Sequence, residues 1–163
     1  TTAAETTEGS AIASATSSTI TVTGSGNGGS AGAGTSVYFA FKSIKGFSKF
    51  GTYTGNGNSN GAFVYTGFKP AWVLIKKSSS TGNWNIFDTK RDGYNGENEN
   101  IFANASDAES SGNNRIDIVS NGFKLRASTA DVGSSGGTYI YLAFAENPFV
   151  GNDSGTGIPA TAK

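Results

Sequence analysis

Short runs of β-branched and aromatic residues, separated by Gly, Asn, Ser and Pro, recur along the chain from residue 37 onwards. Such runs, of about four to eight residues, are typical of β-strands and are shorter than most helices. Trp72–Ile75 is continuously apolar, which predicts a strand buried on both faces, whereas Arg115–Ile118 alternates as a strand with one wet face does. The strands predicted by this pattern are Val37–Phe41, Phe47–Tyr53, Phe63–Thr66, Ala71–Lys76, Trp84–Asp88, Arg115–Val119, Phe123–Arg126 and Tyr139–Phe144.

Turn signals between these runs favour antiparallel pairing. Ser120-Asn121-Gly122 predicts a tight hairpin, because Asn-Gly tolerates the positive φ that both central residues of a type I′ turn require. A helical turn is indicated only at residues 104–110, with Ser106 as its N-cap. The predicted fold class is therefore all-β: an antiparallel two-sheet sandwich, jelly-roll or concanavalin-like, with an extended N-terminal arm.

Residues 1–36 differ in composition from the rest of the chain. They contain no aromatic residue, no Lys and no Arg, and their only charges are Glu5 and Glu8. Within them, residues 19–23 alternate as a strand does and need a partner, since a strand is not stable alone. The predicted organisation is an arm at 1–36, a β-sandwich module at 37–149 and a C-terminal tail at 150–163. The candidate donor strand for assembly consists of Thr19, Ile20, Thr21, Val22 and Thr23.

One pattern occurs twice in the chain. Residues 34–41 share the pattern Gly-Thr-x-(Val/Ile)-Tyr-x-Ala-Phe with residues 137–144, 103 positions later. A strand and its preceding loop that match at one offset indicate an internal repeat. Residues 19–41 are then either the remnant of a preceding module or strands that complete the module that follows.

The residue types absent from the chain exclude several chemistries. It has no Cys and no His, and so no thiol nucleophile, no disulfide, no His-based acid–base relay and no zinc finger. Its 12 Lys and Arg balance 12 Asp and Glu, which argues against nucleic acid as a partner. No apolar run is long enough to predict a membrane span. We therefore expect no enzyme activity, no catalytic residue, no cofactor and no bound metal. A group of acidic residues lacks the spacing of a calcium-binding loop, so we expect their side chains to be solvated charges on loops. They are Asp92, Glu97, Glu99, Asp107 and Glu109.

The most distinctive polar constellation is Trp84, Asp88 and Arg91 with nearby Tyr94. An aromatic face beside a carboxylate and a guanidinium is suited to a sugar ring, so these four residues are the candidate glycan-binding site. The alternative, which these residue types favour, is that Trp84 belongs to the core while Asp88 and Arg91 form a structural ion pair or cap a turn.

Lysines are expected on exposed strand faces and edges, where they discourage unwanted strand pairing. They are Lys42, Lys45, Lys49, Lys69, Lys76 and Lys77.

Five motifs follow one another in the strand-rich part of the chain. They are GFSKFGTYTGNG at 46–57, GFKPAWVLIK at 67–76, NWNIFD at 83–88 with Arg91, SNGFKLR at 120–126 and YIYLAFA at 139–145. Together they resemble a β-rich module common in structural, tail-fibre-like proteins of marine tailed bacteriophages, the cyanophage type included. The resemblance covers about two thirds of the chain.

The resemblance implies a virion structural protein of the fibre or decoration type, located on the virion or outside the cell. Its expected partners are further copies of itself and other virion proteins, with a host-surface glycan as a ligand for attachment. It implies no catalytic residue. The alternative function is a self-polymerising extracellular filament or surface-layer subunit, in which the strand at 19–23 completes the sheet of the next copy.

Overall fold

Every regular element in the described part of the chain is a β-strand. The computed structural model describes residues 12–16, 19–22, 39–91, 95, 99–110 and 114–148, with the backbone alone for 12–15 and 20–22. The strands are β1 (Ile12–Ala15), β2 (Ile20–Val22), β3 (Ser48–Thr54), β4 (Phe63–Tyr65), β5 (Pro70–Lys77), β6 (Trp84–Asp88), β7 (Ile101–Phe102), β8 (Ile116–Val119), β9 (Gly122–Leu125) and β10 (Thr138–Ala145).

The strands from β3 onwards form two sheets. One sheet has five strands in the order β3-β10-β5-β6-β7, and the other has three in the order β4-β9-β8. Every pair of neighbouring strands is antiparallel. Side chains of both sheets meet in one hydrophobic core. The predicted all-β fold, an antiparallel two-sheet sandwich, is therefore confirmed.

The core consists of the alternate side chains that each strand directs at the opposite sheet. In β8 the predicted alternation is confirmed, because Ile116 and Ile118 are buried while Asp117 and Val119 are partly exposed. The five-stranded sheet contributes Val73, Ile75, Phe87, Tyr139, Tyr141 and Ala143. The three-stranded sheet contributes Val64, Ile116, Ile118, Phe123 and Leu125. Removing these side chains from water is the main stabilising term of such a sandwich.

The hairpin between β8 and β9 is confirmed, but its turn differs from the predicted one. Val119 pairs with Gly122, so the two turn residues are Ser120 and Asn121, and neither has a positive φ. Gly122 itself lies in β9, between β8 and β4. A Cβ at this position would stand 2.1 Å from the carbonyl oxygen of Val64. Glycine is therefore needed for the close approach of β4 and not for the turn.

Two local predictions are wrong. Residues 104–110 form a turn and irregular chain instead of a helix, and Ser106 caps nothing. The backbone amides of Asn100 and Ser110 each donate to the other's carbonyl, at 3.1 and 3.0 Å, which closes the segment into a loop that a helix could not span. Residues 39–41 form no strand. The remainder of that predicted strand and of the first repeat copy lies outside the described residues.

The strand predicted at 19–23 is present as β2, and it pairs antiparallel with β1. The backbone amide of Thr16 donates to the carbonyl of Thr19 at 2.8 Å, and the amide of Thr19 donates to the Thr16 hydroxyl at 2.9 Å. The hairpin belongs to a unit of its own that precedes the sandwich. Its first strand was not predicted, because Ile12–Ala15 has only one large apolar residue. Thr23 lies outside the described residues.

Two tyrosines hold the chain between β9 and β10 against the sandwich. The Tyr139 hydroxyl donates to the carbonyl of Ala130 and accepts from the amide of Ser134, both at 2.9 Å. Tyr53 stacks on Tyr139 with ring centres 5.0 Å apart and donates to the carbonyl of Val132 at 2.8 Å. Burial, and then the neighbouring Tyr139, raise the pKa of Tyr53. Tyr53 therefore stays a protonated hydrogen-bond donor, with a structural role.

Candidate functional site

The side of the five-stranded sheet that faces away from the core, here called the outer face, is apolar along its middle. Side chains of a strand alternate between its two faces, so the residues between core residues lie on this face. Leu74 is only 9% exposed but lies outside the cluster that the two sheets enclose, and Trp72, Leu142 and Ile86 beside it are partly exposed. One line of directly opposed residues crosses all five strands: Phe50, Leu142, Leu74, Ile86 and Ile101. We call these five residues the apolar row.

An aromatic cluster adjoins the apolar row at one end of the strands, with Phe144 at its centre. The ring of Phe144 lies 5.8 Å from that of Phe50 and 5.7 Å from that of Trp72. Phe47 and Phe41 contact it from outside the sheet, at 5.9 and 6.4 Å. Phe41 is 57% exposed. The cluster therefore extends the apolar surface to one end of the outer face.

The structure brings Asp88 and Arg91 of the predicted glycan-binding site into contact but separates Trp84 from Asp88. Trp84 and Asp88 stand at opposite ends of β6, both on the outer face, with Ile86 of the apolar row between them. Four strand residues correspond to about 13 Å, too far for one sugar ring to contact both side chains. Trp84 is partly exposed and is not among the core residues. Tyr94 lies outside the described residues.

Asp88 caps the turn that follows β6. One of its carboxylate oxygens accepts from the backbone amides of Lys90 and Arg91, at 2.9 and 3.0 Å. The other accepts from the Arg91 guanidinium at 2.6 Å, and Arg91 also pairs with Glu109. Burial by itself raises the pKa of Asp88, but the hydrogen bonds from Lys90 and Arg91 outweigh it and lower that pKa below its ordinary value. Asp88 and Arg91 thus act as a turn cap and an ion pair.

One lysine departs from the prediction that lysines occupy exposed positions. Lys76 lies on the outer face of β5, directly opposite Trp84 and Ile140, and is only 4% exposed. Its ammonium group donates to the carbonyl of Lys77, and burial lowers its pKa. The reason is its place on a central strand, where large neighbours on both sides cover the aliphatic stem.

A pocket of about 310 Å³ opens where the start of β3 meets the end of β4. Its wall contains Lys45 and Lys49, which are exposed, and Tyr65, which is 64% exposed. None of the described residues that line it is acidic. Within the described residues, neither lysine has a hydrogen bond or an ion pair. The pocket thus combines two positive charges with one aromatic ring.

Backbone hydrogen bonds fix both walls of the pocket. On the β3 side, Ile44 and Ser48 exchange amide–carbonyl bonds of 3.0 and 2.9 Å. On the β4 side, the amides of Thr66 and Gly67 both donate to the carbonyl of Asn121, at 3.0 and 3.2 Å. Gly67 has a φ of 85°, a left-handed conformation that glycine adopts without strain. The side chains of the pocket therefore project from a preformed frame.

Several charged residues of the described chain form ion pairs. Asp117 pairs with Arg126, and Asp131 with Arg115. In the ranges that the structure describes, no group of three or more acidic residues is placed to hold a metal ion. The same ranges contain no helix long and apolar enough to cross a membrane.

The sequence patterns predicted neither the apolar row nor the pocket. The row depends on the strand order, which inserts β10 between β3 and β5, and no local pattern reveals such an insertion. The pocket joins a turn before β3 to the end of β4. One signal was available for it: because Val64 faces the core, alternation directs Phe63 and Tyr65 outwards.

A family model described as a domain of unknown function (DUF7483) matches residues 1–148 of the chain. No curated protein and no solved structure matches it. The family description names no activity.

Proposed function

The chain belongs to the DUF7483 family, and we propose that it is a structural subunit of a tailed-bacteriophage virion whose copies associate through the outer face. It is of the fibre or decoration type, on the virion or outside the cell, and without catalytic activity or cofactor. Two observations support the proposal. Its sequence motifs resemble those of phage structural modules, and its larger sheet presents an apolar surface on the side away from the core.

The apolar row is the observation that carries the proposal. Five strands at their usual spacing make the row about 19 Å long, and Phe144 and Trp72 extend it on one side. In the described part of the chain from Phe41 to Pro148, no further strand packs on this face. Apart from Leu74, which is 9% exposed, the residues of the row are partly exposed. Contiguous apolar surface favours an interaction, since covering it releases about 25 cal/mol for each Å² removed from water.

A second copy of the chain is the partner that fits this surface. The charged groups nearby pair within the chain, Asp88 with Arg91 and Glu146 with Lys69, so the face requires no oppositely charged partner. The net charge is zero, so two copies do not repel each other. Two sheets pack well face to face at about 10 Å. A symmetric pair would use the same surface on both copies.

The alternative is a filament subunit in which the strand at 19–23 completes the sheet of the next copy. That interpretation began from a strand without a partner. In the structure, β2 pairs with β1 of its own chain, which supplies the missing partner locally. The hairpin therefore accounts for the strand at 19–23 without a second copy of the chain.

Sedimentation equilibrium with two matched variants tests the association. Thr138 and Leu142 both lie on the outer face of β10, but Thr138 is exposed at the end of the strand and Leu142 is in the apolar row. Leu142→Lys should reduce the molar mass to that of a 16.6 kDa monomer, because it places a charge in the interface. Thr138→Lys should leave the assembly intact. A wild-type chain that remains monomeric at high concentration would contradict the proposal.

The virion assignment has a separate test. Antibody raised against the purified chain should label intact phage particles of the genome that encodes it, as seen by electron microscopy, and its peptides should be found in gradient-purified particles by mass spectrometry. Particles that contain neither label nor peptide would refute the virion role, whatever the oligomeric state.

A further inference from the structure

We infer that the pocket between the start of β3 and the end of β4 binds an acidic saccharide, carboxylated or sulfated. The inference is independent of the proposed association, because no residue that lines the pocket belongs to the apolar row. It also differs in place from the glycan site predicted at Trp84 and Asp88, which lies on the outer face of β6.

The charge of the pocket favours a negatively charged ligand. Lys45 and Lys49 line it, and no Asp or Glu does so among the residues that the structure describes. Other lysines are already engaged, as Lys69 is with Glu146 and Lys77 with Ser134. Within the described residues, Lys45 and Lys49 have no such partner. Each ammonium group offers three donors on a flexible stem, so two of them can hold one carboxylate or sulfate group.

The aromatic wall distinguishes a saccharide from a simple anion. Tyr65 is 64% exposed, and its ring presents an apolar face with a polar hydroxyl at its tip. A sugar ring has the same division, with C–H groups on one face and hydroxyl groups at its edge. A Cβ at position 67 would lie 3.6 Å from the Tyr65 hydroxyl. Glycine at that position, which its positive φ favours, leaves this contact unmade.

The remaining lining suits a polar ligand of small size. The Ser43 hydroxyl accepts a hydrogen bond from the amide of Phe50 at 3.1 Å, which leaves its own hydrogen to donate to a ligand oxygen. The volume of about 310 Å³ is at the lower end of the range for small-molecule pockets, about 300–1,000 Å³. One acidic sugar residue is the occupant that uses the lysines, the ring and the hydroxyl together.

Isothermal titration of the full chain with four probes tests the inference. The probes are a trigalacturonate for the carboxylated class, a sulfated chondroitin disaccharide for the sulfated class, maltotriose as a neutral sugar and inorganic sulfate as a bare anion. At least one acidic saccharide should bind about tenfold more tightly than maltotriose and than sulfate. Its binding should weaken as the ionic strength rises. Equal affinity for neutral and acidic sugars, or sulfate as tight as the saccharide, would overturn the inference.

Matched variants locate the binding in the pocket. Lys45→Gln and Lys49→Gln should each weaken the acidic saccharide about tenfold, and Tyr65→Ala should do the same while Tyr65→Phe retains binding. Lys42→Gln removes an exposed lysine outside the pocket, and Phe63→Ala removes an exposed aromatic ring from the same strand. Both controls should bind as the wild type does. Unchanged affinity in the two lysine variants, with unchanged unfolding temperatures, would place the ligand elsewhere and refute the site.

Discussion

The two sheets of the sandwich differ most on the sides that face away from their shared core. The outer face of the five-stranded sheet is crossed by the apolar row. The corresponding side of the three-stranded sheet carries charge: Asp117 pairs with Arg126, and Lys124 donates to the carbonyl of Gly61 at 2.8 Å. A sandwich sheet that meets water carries polar residues at every second position. The smaller sheet follows this rule at Asp117 and Lys124, although β4 directs the exposed Phe63 and Tyr65 outwards. The larger sheet departs from the rule along the apolar row.

The apolar run at Trp72–Ile75 lies in the larger sheet, and this difference between the sheets gives a physical reason for it. Such a run predicts burial on both faces of its strand. Val73 and Ile75 are in the core, whereas Trp72 and Leu74 are on the outer face. Within one copy the smaller sheet covers Val73 and Ile75, while on the outer face Leu74 is 9% exposed and Trp72 is partly exposed. Association through the outer face would cover the other side as well.

The largest expected effect is on the smaller sheet, at Gly122. Gly122→Ala would bring a Cβ to 2.1 Å from the carbonyl oxygen of Val64, which forces β4 and β9 apart. We expect the free energy of unfolding to fall by about 3 kcal/mol, as measured by urea denaturation. Gly82→Ala is the control, since its Cβ would have only the Lys77 Cβ nearby, at 3.6 Å. Equal losses in the two variants would show that β4 does not depend on this close approach.

The next effect distinguishes the outward sides of the two sheets by placing a lysine on each of them. Ile86 is in the apolar row, and Val119 occupies the outward side of β8. Ile86→Lys should raise the dissociation constant of the assembly about a hundredfold, because the interface would bury an unpaired ammonium group. Val119→Lys should leave it unchanged, because this side already meets water. Sedimentation velocity over a dilution series measures both. A similar loss in both variants would remove the distinction between the two sides.

The smallest effect is on the free energy of unfolding, and it compares one carboxylate from each sheet. Asp88→Asn loses the Arg91 ion pair and weakens the turn cap, and should lower the free energy of unfolding by about 1 kcal/mol. Asp117→Asn breaks a pair whose Arg126 is 37% exposed and should cost less than about 0.5 kcal/mol. Thermal unfolding at neutral pH compares the two. The reverse ranking would contradict the structural role assigned to Asp88.

The same carboxylate predicts a pH dependence. Its pKa is lower in the folded chain than in the unfolded one, so the unfolded state binds the proton first as the pH falls. The stability that Asp88 contributes is therefore complete above the ordinary carboxylate pKa, about 3.9, and is lost as the pH falls through the lower folded value. Asp88→Asn should lose less stability than the wild type below about pH 4. Parallel acid-unfolding curves would contradict this.

The sequence predicted those elements of the fold whose patterns are local. β6 begins and ends as predicted at Trp84 and Asp88, and the hairpin at Ser120 is present. β1 and β7 were not predicted, because neither is long enough or alternates clearly enough to stand out. The prediction of a helical turn at 104–110 is wrong, because a bridge between Asn100 and Ser110 holds the ends of that segment together. Such a contact has no signature in the segment itself.

The candidate site was harder to predict from the sequence than the fold, for the same reason. Trp84 and Asp88 are close in sequence, but they stand at opposite ends of one extended strand. Lys49 and Tyr65 are farther apart in sequence and line one pocket, because β3 and β4 belong to different sheets that meet there. The apolar row likewise joins Phe50 to Leu142. Each of these juxtapositions is a property of strand order.

Tryptophan fluorescence tests the central claim most directly, because both tryptophans of the chain, Trp72 and Trp84, lie on the outer face. If copies associate through this face, acrylamide quenching should be weak at high protein concentration. It should rise on dilution to the level of the Ile86→Lys variant, as dissociation exposes the two rings. Quenching that is independent of concentration, and equal in the wild type and the variant, would contradict association through the outer face.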